Sequence, residues 1–253
     1  MLHALRHRVC GCFRAEAGQL GPQAAAGPFE GFRQDDDGGP LMADLDPRDL
    51  DPRDLDPSEH TQLVRSHYLP LLNEFGVSSR AVDYHHEGNH LARFLILTGI
   101  DDVSQASILD VGCGVGHFAG WLLEHGYEGD YLGIDILPEM IDRARDTHPK
   151  MRFEHADILA EPDRFKADYV MSSGIFHLGD AALMQRVIGA MYGACRKGVA
   201  FNSLSTWDVS GSQRGHFLAD PLETLSFCRT LTTQLLMRHD YLPHDFTIFL
   251  FRD

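Results

Sequence analysis

The stretch Ile108-Leu-Asp-Val-Gly-Cys-Gly-Val-Gly-His-Phe118 decides how the rest of the chain is read. An apolar run ends in a carboxylate, Asp110, and is followed by glycines at 112, 114 and 116. A largely apolar run closed by glycines reads as a buried strand, and the pattern from Gly116 onward reads as a helix up to Glu124. A strand feeding a glycine-rich turn and then a helix places bare backbone and a helix N-terminus at the carboxyl edge of a sheet, with its amides available to a ligand.

Outward from that loop, strands and helices alternate. A helix over 89–98, closed by Gly99, precedes the strand 107–111. Strand 131–135 and a helix opening at Pro138 follow. Next come strands 153–156 and 168–173, a helix over 181–196 and strand 198–203. Such alternation predicts a doubly wound α/β fold with a mostly parallel sheet covered on both faces. The end breaks the rhythm. After a helix capped by Asp220-Pro221, strands 232–238 and 246–252 are joined by a short loop, which forces antiparallel pairing. The expectation is a seven-stranded, Rossmann-like sheet whose last strand is antiparallel.

The 253 residues carry a net charge of -15, which argues against a nucleic-acid-binding face. Five cysteines, an odd number, do not suggest a disulfide framework and fit a reducing compartment. Neither a membrane span nor a secretory signal is evident, and the expectation is a cytoplasmic protein. Residues 35–59 hold ten acids against two arginines, and residues 1–34 lack apolar periodicity. The segment 1–55 is therefore read as a disordered N-terminal tail. It contains most of a five-residue tandem repeat, Leu45-Asp-Pro-Arg-Asp onward, too short to build a solenoid. The last copy, Asp56-Pro57-Ser58-Glu59, reads as a helix start. The stripe Val64, Tyr68, Leu71, Leu72 and Phe75 follows and stops at Gly76. The ordered domain is expected over 56–253, with a helical cap over 56–100.

Asp135 ends the second strand, 23 residues after Gly112, where a carboxylate can accept hydrogen bonds from a ribose diol. This suits an adenosine-bearing cofactor. The dinucleotide fingerprint needs a glycine three residues after Gly114, where the chain has His117. NAD is disfavoured on that ground.

The loop resembles motif I of the class I S-adenosylmethionine-dependent methyltransferases. The likeness continues through Asp135 in Gly-Ile-Asp-Ile, Asp157 in His-Ala-Asp-Ile-Leu, and the fourth-strand segment Ala167-Asp-Tyr-Val-Met-Ser-Ser-Gly-Ile-Phe-His177. It covers residues 80–253. It implies S-adenosyl-L-methionine as cofactor, with Gly112, Cys113 and Gly114 at its methionine part, Asp135 at the ribose hydroxyls and Ile136 also in the cofactor site. Asp157 and Ile158 would border the adenine. Asp110 would hold the loop or the cofactor ammonium, and Ser173 and Gly174 would complete the site. Arg93 would grip the cofactor carboxylate, or else face solvent on its helix.

The resemblance also implies that Tyr84, His85, His86 and Asn89 cover the cofactor and shape the acceptor pocket. Trp207 either lines that pocket or anchors its loop. His177, beyond the fourth strand, is the catalytic candidate; a base, a substrate-orienting group and a structural histidine are all compatible with its type. The absence of the DNA enzymes' motifs, with the acidic charge, implies a small-molecule acceptor methylated on O, N or C, without metal. Two other readings stand beside this one. His86-Glu-Gly-Asn-His90 matches a zinc hydrolase pattern, and the domain could bind its cofactor without turnover.

Overall fold

The computed structural model describes residues 57–83, 87–209 and 215–252. The expected disorder of 1–55, the cap residue Asp56, and Tyr84, His85 and His86 lie outside the described residues. Helix α1, Pro57–Phe75, is followed by a 3-10 turn, Ser79–Val82, and by helix α2, Glu87–Leu97. The alternating part then runs β1 (Ile108–Val111), α3 (His117–Glu124), β2 (Tyr131–Asp135), α4 (Pro138–Thr147), β3 (Arg152–His155) and β4 (Ala167–Ser172). It ends with α5 (Ala181–Ala194), β5 (Cys195–Leu204), α6 (Pro221–Leu231), β6 (Leu235–Arg238) and β7 (Asp245–Phe251).

The seven strands pair in the order β3-β2-β1-β4-β5-β7-β6. The pairs β1–β2, β1–β4, β2–β3 and β4–β5 are parallel, whereas β7 runs antiparallel to both β5 and β6. Strand order reverses between β1 and β4, which is where a doubly wound sheet opens a crevice for a ligand.

Side chains alternate across the sheet, so neighbours in one strand enter different cores. Leu109, Val170, Val199, Phe201, Ile248 and Leu250 pack on the face covered by α5 and α6. Ile108, Tyr131, Tyr169, Met171 and Phe249 face α2, α3 and α4. A third, smaller cluster joins Leu72, Ala81, Val115, Leu137 and Met140, with Val64 and Tyr68 packed on it. That cluster seats α1 over the carboxyl ends of β1 and β2.

Several boundaries move, two of them for evident local reasons. Helix α5 ends at Ala194, because Cys195 already pairs with Ala167 at the start of a ten-residue β5. Strand β6 begins at Leu235 rather than 232, because Thr232 caps α6 and its hydroxyl accepts the Gln234 amide at 3.0 Å.

Candidate functional site

The β1–α3 loop adopts the geometry its glycines permit. Gly112, Gly114 and Gly116 have φ of 72°, 54° and 85°, the left-handed region that side chains disfavour. At Gly112 the restriction is also steric, since a Cβ there would lie 2.3 Å from the Ile175 side chain. Four of the five amides from Gly112 to Gly116 turn inward instead of towards a ligand as expected. The amides of Gly112 and Cys113 both donate to the Ile134 carbonyl, at 2.8 and 3.0 Å, and that of Gly116 donates to Cys113 O at 3.0 Å. The Gly114 amide donates to Asp135 Oδ2 at 2.9 Å. With those donors consumed, the loop is poorly suited to a pyrophosphate.

Asp135 is held from both sides, because its Oδ1 accepts the Leu137 amide at 2.9 Å. It is buried, and burial raises its carboxyl above the ordinary range against the pull of those amides. Asp110 is buried too. Its Oδ2 accepts the Tyr131 hydroxyl at 2.6 Å, and burial, with Asp135 nearby, pushes its carboxyl up to about 7.

These residues line a cavity of ≈ 250 Å³. Asp110, Gly112, Cys113, Gly114, Asp135, Ile136, Asp157, Ile158, Ser173 and Gly174, the cofactor-site candidates other than Arg93, all border it. Ala156 and Leu159 add apolar wall. The Asp157 carboxylate turns the chain by accepting the Leu159 amide at 2.8 Å. Ser173 and Gly174 are placed by Asn202 of β5: its Oδ1 accepts the Gly174 amide at 2.9 Å, and its amide group donates to Ser173 Oγ at 3.3 Å. Asn202 is fully buried; within the sequence it reads only as part of a strand.

Other expected residues fall elsewhere. Arg93 is on the buried face of α2 and does not border the cavity. Its guanidinium makes a two-pronged pair with Asp245 at the start of β7, at 2.5 and 2.7 Å. Asn89 does not line the cavity, nor does Trp207, which stacks on His239 with ring centroids 5.2 Å apart. His177 stands one layer back. Its Nδ1 lies 2.9 Å from the Gly174 carbonyl and its Nε2 lies 3.1 Å from the Tyr68 hydroxyl, and it is Tyr68 that borders the cavity. Since a carbonyl only accepts, the proton sits on Nδ1 and Tyr68 donates to Nε2. Burial, with His216 and His67 close by, lowers the His177 pKa to about 4, so the ring is neutral near pH 7.

The side chains of His86 and Glu87, two of the three zinc hydrolase candidates, lie outside the described residues. The third, His90, borders the cavity but is packed between Phe94 and His117, with centroids 4.4 and 5.0 Å away. Its burial lowers its pKa to about 2. The cavity roof comes from α1, through His60, Thr61, Val64 and Tyr68. The stripe Val64, Tyr68 and Leu72 is the sequence signal for that contact.

The methyltransferase domain family matches residues 108–198. The chain is 34% identical over 156 residues to Rv1506c of Mycobacterium tuberculosis, which bears a methyltransferase name; the match spans 56% of this chain and 90% of that protein. The chain belongs to the class I S-adenosylmethionine-dependent methyltransferases. Magnesium-protoporphyrin O-methyltransferase of Rhodobacter capsulatus is 33% identical over 92 residues, 34% of this methyltransferase and 40% of that one. The solved magnesium protoporphyrin IX methyltransferase of Synechocystis PCC 6803 with bound SAH shares the fold, with a TM-score of 0.56 at 13% identity, covering 77% of this chain and 100% of that one. Family membership overturns the zinc hydrolase reading of this methyltransferase. Among the described residues, none of its helices is long and apolar enough to cross a membrane.

Proposed function

We propose that the protein methylates a small-molecule acceptor, with S-adenosylmethionine bound in the cavity at the β1–β4 crevice. The observation that carries this reading is the internal use of the loop amides beside Asp110 and Asp135. What the loop then offers a ligand is carbonyl oxygen and carboxyl, which suits an ammonium and a sulfonium and does not suit phosphate. Asp135 keeps a lone pair on each oxygen for a ribose diol. Ile136, Ala156 and Ile158 provide apolar walls for an adenine, with Asp157 at its edge. Ser173 and Gly174, fixed by Asn202, close the side towards β4.

The cofactor supplies a methyl group already activated on a cationic sulfur. Alignment by the protein can therefore contribute ~7 to 11 kcal/mol, and a strong base is not required. Tyr68 meets the acceptor, and His177 positions the Tyr68 hydroxyl from behind. Oxygen is the favoured acceptor atom, in keeping with the O-methyltransferase name of the Rhodobacter relative. The net charge of -15 supports a small acceptor over a nucleic acid.

Calorimetry of the full chain with S-adenosylhomocysteine and with NAD tests the cofactor, and a blind acceptor screen with methyl-labelled S-adenosylmethionine tests the reaction. Binding of NAD in preference to S-adenosylhomocysteine would overturn the first. Label transfer only to nucleic acid would overturn the second.

A further inference from the structure

Behind the Tyr68 wall, four segments far apart in sequence bring imidazoles to one carboxylate. His67 comes from α1, Asp83 from the end of the 3-10 turn, His177 from the loop after β4 and His216 from the loop before α6. His67 Nε2 lies 3.2 Å and His216 Nε2 3.8 Å from Asp83 Oδ2. One ligand-type atom from each of His67, Asp83 and His177 lies within 4.8 Å of the other two. The His177 and His216 rings are 5.1 Å apart, centroid to centroid.

We propose that His67, Asp83 and His177, with His216 as a further donor, bind a divalent first-row transition ion of the zinc type. Three imidazoles and one carboxylate are a borderline nitrogen and oxygen set of the kind such ions select over magnesium or calcium. The His177 Nδ1–H is held by the Gly174 carbonyl, the support a metal-bound histidine usually has, and Nε2, which accepts the Tyr68 hydroxyl in this structure, is the ring atom that exchanges that hydrogen bond for the ion.

His216 joins the set through its Nε2, the ring atom that approaches Asp83. Its Nδ1 is buried without a hydrogen-bond partner, so the ring is fixed here without full satisfaction by the protein. Asp83 has φ of 64°, and it is the single non-glycine with positive φ among the described residues. That conformation turns its carboxylate towards the three rings at a local backbone cost.

A tetrahedral set at zinc distances has ligand atoms about 3.4 Å apart. The 4.8 Å spread therefore closes by movements of about an ångström. His67, Asp83 and His216 are each partly exposed, at 28%, 19% and 27% of their side chains, and can make them. The bound ion fastens α1 to the carboxyl edge of the sheet, beside the phenol that meets the acceptor.

The experiment strips the full chain with a chelator and titrates it with Zn²⁺ by calorimetry and with Co²⁺ by visible absorption. One equivalent of Zn²⁺ and a four-coordinate Co²⁺ spectrum are expected. His67→Ala and Asp83→Asn should each weaken binding at least tenfold and collapse the cobalt bands, with circular dichroism and S-adenosylhomocysteine binding retained. His216→Ala should shift the cobalt spectrum with a smaller loss of affinity. The N-terminal Cys10 and Cys12 could capture metal by themselves, so Cys10→Ser with Cys12→Ser is the companion variant and should bind as the parent does. Absence of stoichiometric binding overturns the proposal. So does binding that survives His67→Ala and Asp83→Asn, or that vanishes with the two cysteines.

Discussion

The Gly114 amide and the Asp135 carboxylate are joined at 2.9 Å, so the residue proposed to hold the ribose also holds the glycine loop. Asp135→Ala is therefore expected to do two things at once. S-adenosylhomocysteine affinity should fall by ~1.5 to 3 kcal/mol, the worth of hydrogen bonds to a charged group. Stability should fall as well, by about 1 to 3 kcal/mol for the buried Leu137 amide left without its acceptor and by less for the half-buried Gly114 amide. Calorimetry and denaturant melts read the two effects separately. Unchanged affinity would remove Asp135 from the cofactor site.

Arg93 and Asp245 form a buried pair across 152 residues, with side chains 8% and 0% exposed. Arg93→Ala leaves the carboxylate alone in the core and should cost about 3 to 5 kcal/mol. Arg93→Met combined with Asp245→Leu should recover much of that. Cofactor affinity of the folded variants should stay within a few-fold of the parent. A loss beyond tenfold would return Arg93 to the cofactor site.

Burial lifts the Asp110 carboxyl from 3.8 to about 7. In the unfolded chain the group ionises near pH 4, so between pH 4 and 7 only the folded state keeps the proton. Its contribution to stability is complete below about pH 4, declines as pH rises through that window, and is lost above 7. The amplitude is on the order of 4 kcal/mol. Asp110→Asn is neutral throughout and should flatten this part of the profile. Equal changes for parent and variant between pH 5 and pH 8, in urea melts, would contradict the assignment.

Tyr68 and His177 should behave as one unit towards the acceptor. His177→Ala and Tyr68→Phe are each expected to raise the acceptor KM more than they lower kcat. The double variant should be little worse than either single one, since both remove the same hydrogen bond. A fall in kcat of ~10² to 10⁴ with KM kept, in His177→Ala alone, would instead make the imidazole a base.

Local chemistry makes much of this legible in the sequence. Strand β2 falls on Tyr131–Asp135 as the pattern indicates, α6 starts on its Asp220 cap, and the positive φ values follow from the glycines at 112, 114 and 116. The residues that border the cavity at the carboxyl edge of the sheet are legible because they stand at or just beyond strand ends. What depends on distant partners is not. Nothing near Arg93 announces Asp245, and the α1 stripe reads the same whichever surface it covers. Tyr131 reads as a strand residue until its hydroxyl is found on Asp110. The inward turn of the loop amides is equally hidden, because it requires the Ile134 carbonyl of the next strand.

The two tryptophans of the chain report on different places. Trp121 packs against Phe118 and Phe94, with centroids 6.2 and 6.3 Å away, and both phenylalanines border the cavity. Trp207 is 44% exposed and stacked on His239, away from that wall. One layer of aromatic rings thus separates a bound ligand from a single indole. With Trp207 replaced by Phe, the remaining emission becomes an optical gauge of cavity occupancy that needs no label.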